Sequence, residues 1–189
     1  MIFKRVAALL SLTLLTVVLA NAKDKPNEQR GKIRKMAAAT LTELYGLQPA
    51  SQALVQKSAG YAVFNNVGTN LLLLSTARGA GVAVNSKTKK DTFMKMTSVG
   101  AGVGVGVKDY RVIFVFETEK ALNQFMDSGW GGEVQADAAV KAKESGGAYS
   151  GATSVAPDVW VYQITKNGLA LQLTLQGTKY SKDKDLNRP

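Results

Sequence analysis

Arg30, Lys32, Arg34 and Lys35 fall within six residues of one another, and Lys87, Lys89 and Lys90 form a second basic group. Side chains of this kind bind anions: phosphates, carboxylates, or an anionic membrane, on which each basic residue contributes about 1 kcal/mol. The residues that are missing narrow the chemistry further. The 189 residues include no His and no Cys. That excludes a Ser-His-Asp triad, a thiol nucleophile, an ordinary zinc site, a disulfide and an iron–sulfur cluster. Acid–base work is left to Asp, Glu, Lys, Tyr and hydroxyls, with Glu117, Asp137 and Asp158 as candidate carboxylates. Two carboxylates suffice for a glycosidase, but nothing in the spacing of these three pairs them, and helix-end or surface roles explain them better. In 99–107, Val or Ala alternates strictly with Gly. The run spells neither GxGxxG nor a P-loop. Its glycine face would admit another backbone, a head group or an acyl chain at close range, which makes it a second candidate site.

The elements that carry these residues follow from periodicity. Residues 23–57 read as helical, with Ile33, Met36, Ala37, Leu41 and Leu44 in one apolar stripe. Gly46 closes that helix and Pro49 opens another. The four cations at the helix start oppose its dipole by a few tenths of a kcal/mol each, a mild cost that draws attention to them. From Tyr61 the pattern changes to strands. A strand over 61–64 leads into a turn at Asn65, Asn66 and Gly68; the apolar run 71–75 and its continuation 81–85 make a buried strand. The polar, basic stretch 85–91 is a hairpin tip, with 92–96 returning. A strand over 110–117 places Val112, Phe114 and Phe116 on one face. Thr118 then caps a short helix whose apolar side is Ala121, Leu122, Phe125 and Met126, ending at Gly129. Propensity favours helix over 136–143. Strands over 158–165 and 169–176 flank Asn167-Gly168, a type I′ turn signal, and 179–189 is a polar tail. This order predicts an α+β fold: N-terminal helices packed on a mostly antiparallel, curved or barrel-like sheet with one inserted helix.

The first residues read as an address. Lys4 and Arg5 precede an uncharged stretch over 6–20, and Ala20-Asn21-Ala22 is a small-x-small cleavage signal. The expectation is a signal peptide over 1–22 and export to the periplasm or beyond. Without Cys the chain is not a lipoprotein. A single domain is expected over 23–187, with a helical part at 23–57 and a mainly β part at 58–187. The net charge of +10 alone would also suit nucleic acid, but no RNP, helix-turn-helix or zinc-finger pattern accompanies it, and export would separate the protein from cellular nucleic acid.

Several segments together resemble SYLF-domain proteins. They are Ala59-Gly-Tyr-Ala-Val-Phe64, the Gly/Val alternation at 99–107, and Lys108-Asp-Tyr-Arg-Val-Ile-Phe-Val-Phe116. Further along come Ala121-Leu122 with Phe125, Ser128-Gly129-Trp130, Ala136-Asp137-Ala138 and Gly168-Leu169. Asn70 to Thr76, Gln176 to Tyr180 and Asp185-Leu186-Asn187 are similar to the bacterial secreted branch of that lipid-binding family. The resemblance spans about 30–187. It implies phospholipid binding, phosphoinositides especially in eukaryotic members, with actin binding in some fungal ones, no enzymatic activity and no cofactor. It also implies a contribution from an N-terminal amphipathic helix, which by position falls on Arg30, Lys32, Ile33, Arg34, Lys35, Met36, Leu41 and Leu44. Eukaryotic members carry Pro where this chain has Asn65, and Gly-rich residues where it has 70–75. The expected partner is therefore an anionic phospholipid or membrane surface, met by that helix and by the adjacent Lys87, Lys89 and Lys90 hairpin. The alternative is an envelope protein-interaction or structural module, with Trp130 and Trp160 as candidate anchors.

Overall fold

The structure, a computed structural model, describes residues 26–71, 74–101, 106–131, 150–170 and 178–188. Helix α1 covers 26–47, α2 Ala50–Lys57 and α3 Glu119–Ser128. The strands are β1 (Gly60–Leu71), β2 (Leu74–Asn85), β3 (Asp91–Ala101), β4 (Gly106–Phe116), β5 (Trp130–Gly131), β6 (Thr153–Ala156), β7 (Val159–Thr165), β8 (Gly168–Leu169) and β9 (Thr178–Lys182). All pair antiparallel in one sheet of order β5-β9-β3-β2-β1-β4-β7-β6, with β8 beside β7. The sheet curls into a half-barrel, so the strands at its two ends, β5 and β6, border the same cleft. The α+β architecture expected from the sequence is the one observed.

Strand side chains alternate between faces, and each long strand here feeds two cores. On β4, Val112, Phe114 and Phe116 pack toward α3, while Ile113 and Val115 pack toward α1 and α2; all five are fully buried. The α3 side is aromatic. Phe64, Phe114, Phe116, Phe125, Trp130 and Tyr180 pack there, with Phe64 edge-on to Phe114 at 6.0 Å between centroids. On the other side Ile33, Ala37, Leu41 and Leu44 of α1 meet Val63, Val82, Phe93, Ile113 and Ile164. Full burial of one such side chain contributes about 1.5–3 kcal/mol, so the α1 stripe is part of the core.

Local signals explain the helix limits. Gly46 lies at the end of α1 and Pro49 is the N-cap of α2. Thr118 caps α3 by accepting from Ala121 N at 3.3 Å. Several turns lie elsewhere than the sequence predicts. Asn65, Asn66 and Gly68 form no turn; they lie inside β1. Asn66 is fully buried with its amide over Gly79 of β2, where a Cβ would collide with Oδ1. The apolar run 71–75 is no continuous strand, because Leu71 pairs with Leu74 and the chain reverses within the run. The alternating run 99–107 is divided between β3 and β4, with 102–105 outside the described residues. In both runs the apolar pattern continues through a reversal that no polar residue marks. Thr165 pairs with Gly168, the residue with positive φ (96°), and Asn167 is not in the left-handed region. The turn is therefore not the expected type I′, which needs positive φ at both central residues. The signal peptide over 1–22, the helix over 136–143 and most of the strand over 169–176 lie outside the described residues.

The tail is more structured than its polarity suggests. Strand β9 pairs with β3 and buries Thr178 and Tyr180. Beyond it, Asn187 Oδ1 accepts from Phe93 N at 3.0 Å while its Nδ2 donates to Phe93 O at 2.7 Å. Leu186 is buried in the α1 core.

Candidate functional site

Packing on the sheet fixes where the α1 cations go. With Ile33, Leu41 and Leu44 buried and Met36 half-buried, the basic residues occupy the helix flanks. Arg30 Nε donates to Leu186 O at 2.9 Å, and its Nη2 to Arg188 O at 2.5 Å. Arg34 Nε lies 2.6 Å from Asp91 Oδ2, and its guanidinium carbon sits 5.1 Å from the centroid of Phe93. Lys32 Nζ lies 2.5 Å from Glu28 Oε1, and that hydrogen bond holds the Glu28 carboxyl below its ordinary range. Lys35 is exposed and, among the described residues, has no ion-pair partner. Of the residues expected to touch lipid, the apolar ones are therefore docked against the sheet in this conformation, and three of the four cations are held by this chain's own groups.

The second basic group is arranged differently. Asn85 ends β2 and its side-chain oxygen accepts from Lys87 N (3.0 Å) and Thr88 N (2.8 Å), while Lys89 N donates to Asn85 O at 2.9 Å. These bonds fix a tight turn in which Lys89 adopts φ 57°. Lys87, Lys89 and Lys90 are all exposed, and no carboxylate among the described residues lies within ion-pair distance of them. Asp91, the nearest acid in sequence, is occupied by Arg34. The turn thus presents three cations on a hydrogen-bonded frame, next to the α1 start that Arg34 ties to it.

Between α3 and the two ends of the sheet lies a cleft of about 970 Å³, lined among others by Phe116, Phe125, Trp130, Ala156 and Val159. The sequence gives no sign of it, because its walls come from three separated segments, 116–131, 156–159 and 178–179. Asp158 also borders it, accepting from Thr118 Oγ1 at 3.1 Å. Glu117 and Asp158 are exposed, and Asp137 lies outside the described residues. Among the described residues no group of three or more acidic side chains could hold a metal ion, and no helix is long and apolar enough to cross a membrane.

Comparison with known proteins bears on this arrangement. Residues 97–189 match the family described as Ysc84, Las17-binding protein actin regulator. Through these residues, just under half of the chain, it is similar to the Ysc84, or SYLF-domain, family. It is also 38% identical over 161 residues to beta cell expansion factor A of Aeromonas veronii, an alignment covering 84% of this chain and 59% of that protein. The chain thus spans about three fifths of that relative's length. The SYLF family is a binding family, of lipid- or actin-related kind. Its matched segment includes β4, α3, β7 and the docked tail, whereas α1 and the β2–β3 turn lie N-terminal to it.

Proposed function

We propose that the protein is a non-catalytic, exported envelope protein that binds anionic phospholipid at a membrane surface. The observation that carries this reading is the β2–β3 turn, whose three exposed lysines have no carboxylate partner among the described residues. Three such residues at an anionic surface contribute about 3 kcal/mol together, which suits reversible, salt-sensitive attachment. Lys35 adds to this face. Similarity to the family supports binding over catalysis, and the Lys4-Arg5, 6–20 and Ala20-Asn21-Ala22 pattern supports export. The docked stripe of α1 would join the contact only on leaving the sheet.

Flotation of the purified protein with neutral and anionic vesicles, at low and high salt, tests this. Anionic-selective, salt-sensitive flotation that is lost when Lys87, Lys89 and Lys90 become Gln is the expected result. No flotation under any condition would end the lipid reading. The family description, which names a protein partner and actin regulation, favours a second reading, an envelope protein partner. Crosslinking that yields one stoichiometric protein and no lipid would select it.

A further inference from the structure

Helix α1 crosses its face of the sheet diagonally. Near its start Arg34 stands over Phe93 of β3, and near its end Glu43 pairs with Arg111 of β4. That course covers the row Val63–Val82–Phe93 and leaves the next rows of β1, β2 and β3 open. Four residues further along these strands, and therefore on the same face, the register aligns Val67, Arg78, Thr97 and Lys179. The row between them holds Lys95 opposite Ala80, and the row beyond holds Val99 opposite Thr76. All of these residues are exposed. Val67 and Val99 are 49% and 62% exposed, two of the three large apolar side chains so exposed among the described residues.

We infer that this uncovered corner is a lipid-contact surface, with Val67 and Val99 entering the head-group layer of an anionic bilayer and Arg78, Lys95 and Lys179 meeting its phosphates. The inference rests on the membrane reading above but not on the hairpin lysines. Charge selects the occupant. Arg78, Lys95 and Lys179 have no ion-pair partner among the described residues, and the acid at the border is Asp109, opposite Val67 on β4. Lys179 stands at the limit between this corner and the cleft beside α3. Exposed aliphatic side chains among cations give shallow, salt-sensitive insertion at an interface. A protein-docking patch of the usual kind is instead centred on an anchor seated in a pocket; here Arg78 stands exposed, and among the described residues no aromatic side chain lies on this face beyond Phe93. The corner also lies at the end of the sheet where β1 and β2 close on the Leu71–Leu74 pair.

The chain contains no cysteine, so a single reporter can be introduced without background. Val99→Cys labelled with an environment-sensitive fluorophore reports the corner, and Asn123→Cys, exposed on α3, serves as the reference. With vesicles containing anionic phosphatidylglycerol, the label at 99 should shift to the blue and be quenched by brominated acyl chains, and the label at 123 should do neither. R78Q/K95Q/K179Q should lower vesicle affinity at low salt by roughly 100-fold while the circular dichroism spectrum is kept. If the protein floats but the label at 99 stays aqueous and the triple variant binds as the parent does, the inference is overturned and the membrane reading survives. If the parent does not float at all, both fail together. A label at 99 that responds to a purified protein partner and not to vesicles would also overturn it.

Discussion

The cations of α1 and those of the β2–β3 turn look alike in sequence, yet they differ in what surrounds them. Arg30 is held by two tail carbonyls, Arg34 by Asp91 and the ring of Phe93, and Lys32 by Glu28. Lys87, Lys89 and Lys90 project from a turn whose hydrogen bonds are made by Asn85 and the backbone, leaving the ammonium groups to solvent. The difference teaches that a cluster of charge marks an anion-binding surface only when the fold has not already supplied the anions. In α1 much of the positive charge serves attachment of the helix to its own sheet; in the turn it is available to a partner.

The sharpest way to break this comparison is to ask whether α1 is truly core. Leu44 is fully buried, and Leu44→Ala should cost about 2–5 kcal/mol of stability, read as the shift in a urea denaturation midpoint. A loss under about 1 kcal/mol would mean that the helix is not held on the sheet. The turn should behave in the opposite way. K87Q/K89Q/K90Q should lose about 3 kcal/mol of vesicle affinity at low salt while its unfolding free energy stays within about 0.5 kcal/mol of the parent. Weakened folding with unaltered vesicle binding would invert the assignment. Asn187→Ala sharpens the α1 side. It leaves the Phe93 N–H and C=O without their side-chain partner and should cost about 1–3 kcal/mol, measured together with faster hydrogen exchange at Phe93. The smallest effect belongs to Lys32→Ala, since its pair with Glu28 is exposed on both sides and screened by solvent, so thermal unfolding should scarcely shift. A larger loss in thermal unfolding would show that Lys32 has a structural role that its surroundings do not reveal.

Much of the fold was legible because the periodicities are strong. Ile33, Ala37, Leu41 and Leu44 give α1 its stripe, Val112, Phe114 and Phe116 give β4 its face, and Thr118 announces α3. Reversals were legible only where polar residues marked them, as at 85–91. The turn inside the leucine run and the division of the 99–107 alternation were hidden, since an apolar pattern carries no sign of where a strand must turn back. Asn65 and Asn66 misled in the other direction: they have turn chemistry, but a glycine on the neighbouring strand lets the buried amide of Asn66 lie flat in the sheet. The basic turn was visible as a site from composition. The open corner was not, because Val67, Arg78, Lys95 and Val99 belong to three strands and become neighbours only through register.

The contact between Arg30 and Leu186 joins groups separated by 156 positions, and β9 must take its place beside β3 before the tail can reach α1. The first helix of the described fold is therefore secured by the last described segment, 183–188. A nascent chain can close the β1–β2 and β2–β3 hairpins early, as local pairings form readily, but α1 has no final anchor until residues 183–188 have been made. Until then its apolar stripe has an incomplete home, which leaves the growing chain exposed to aggregation.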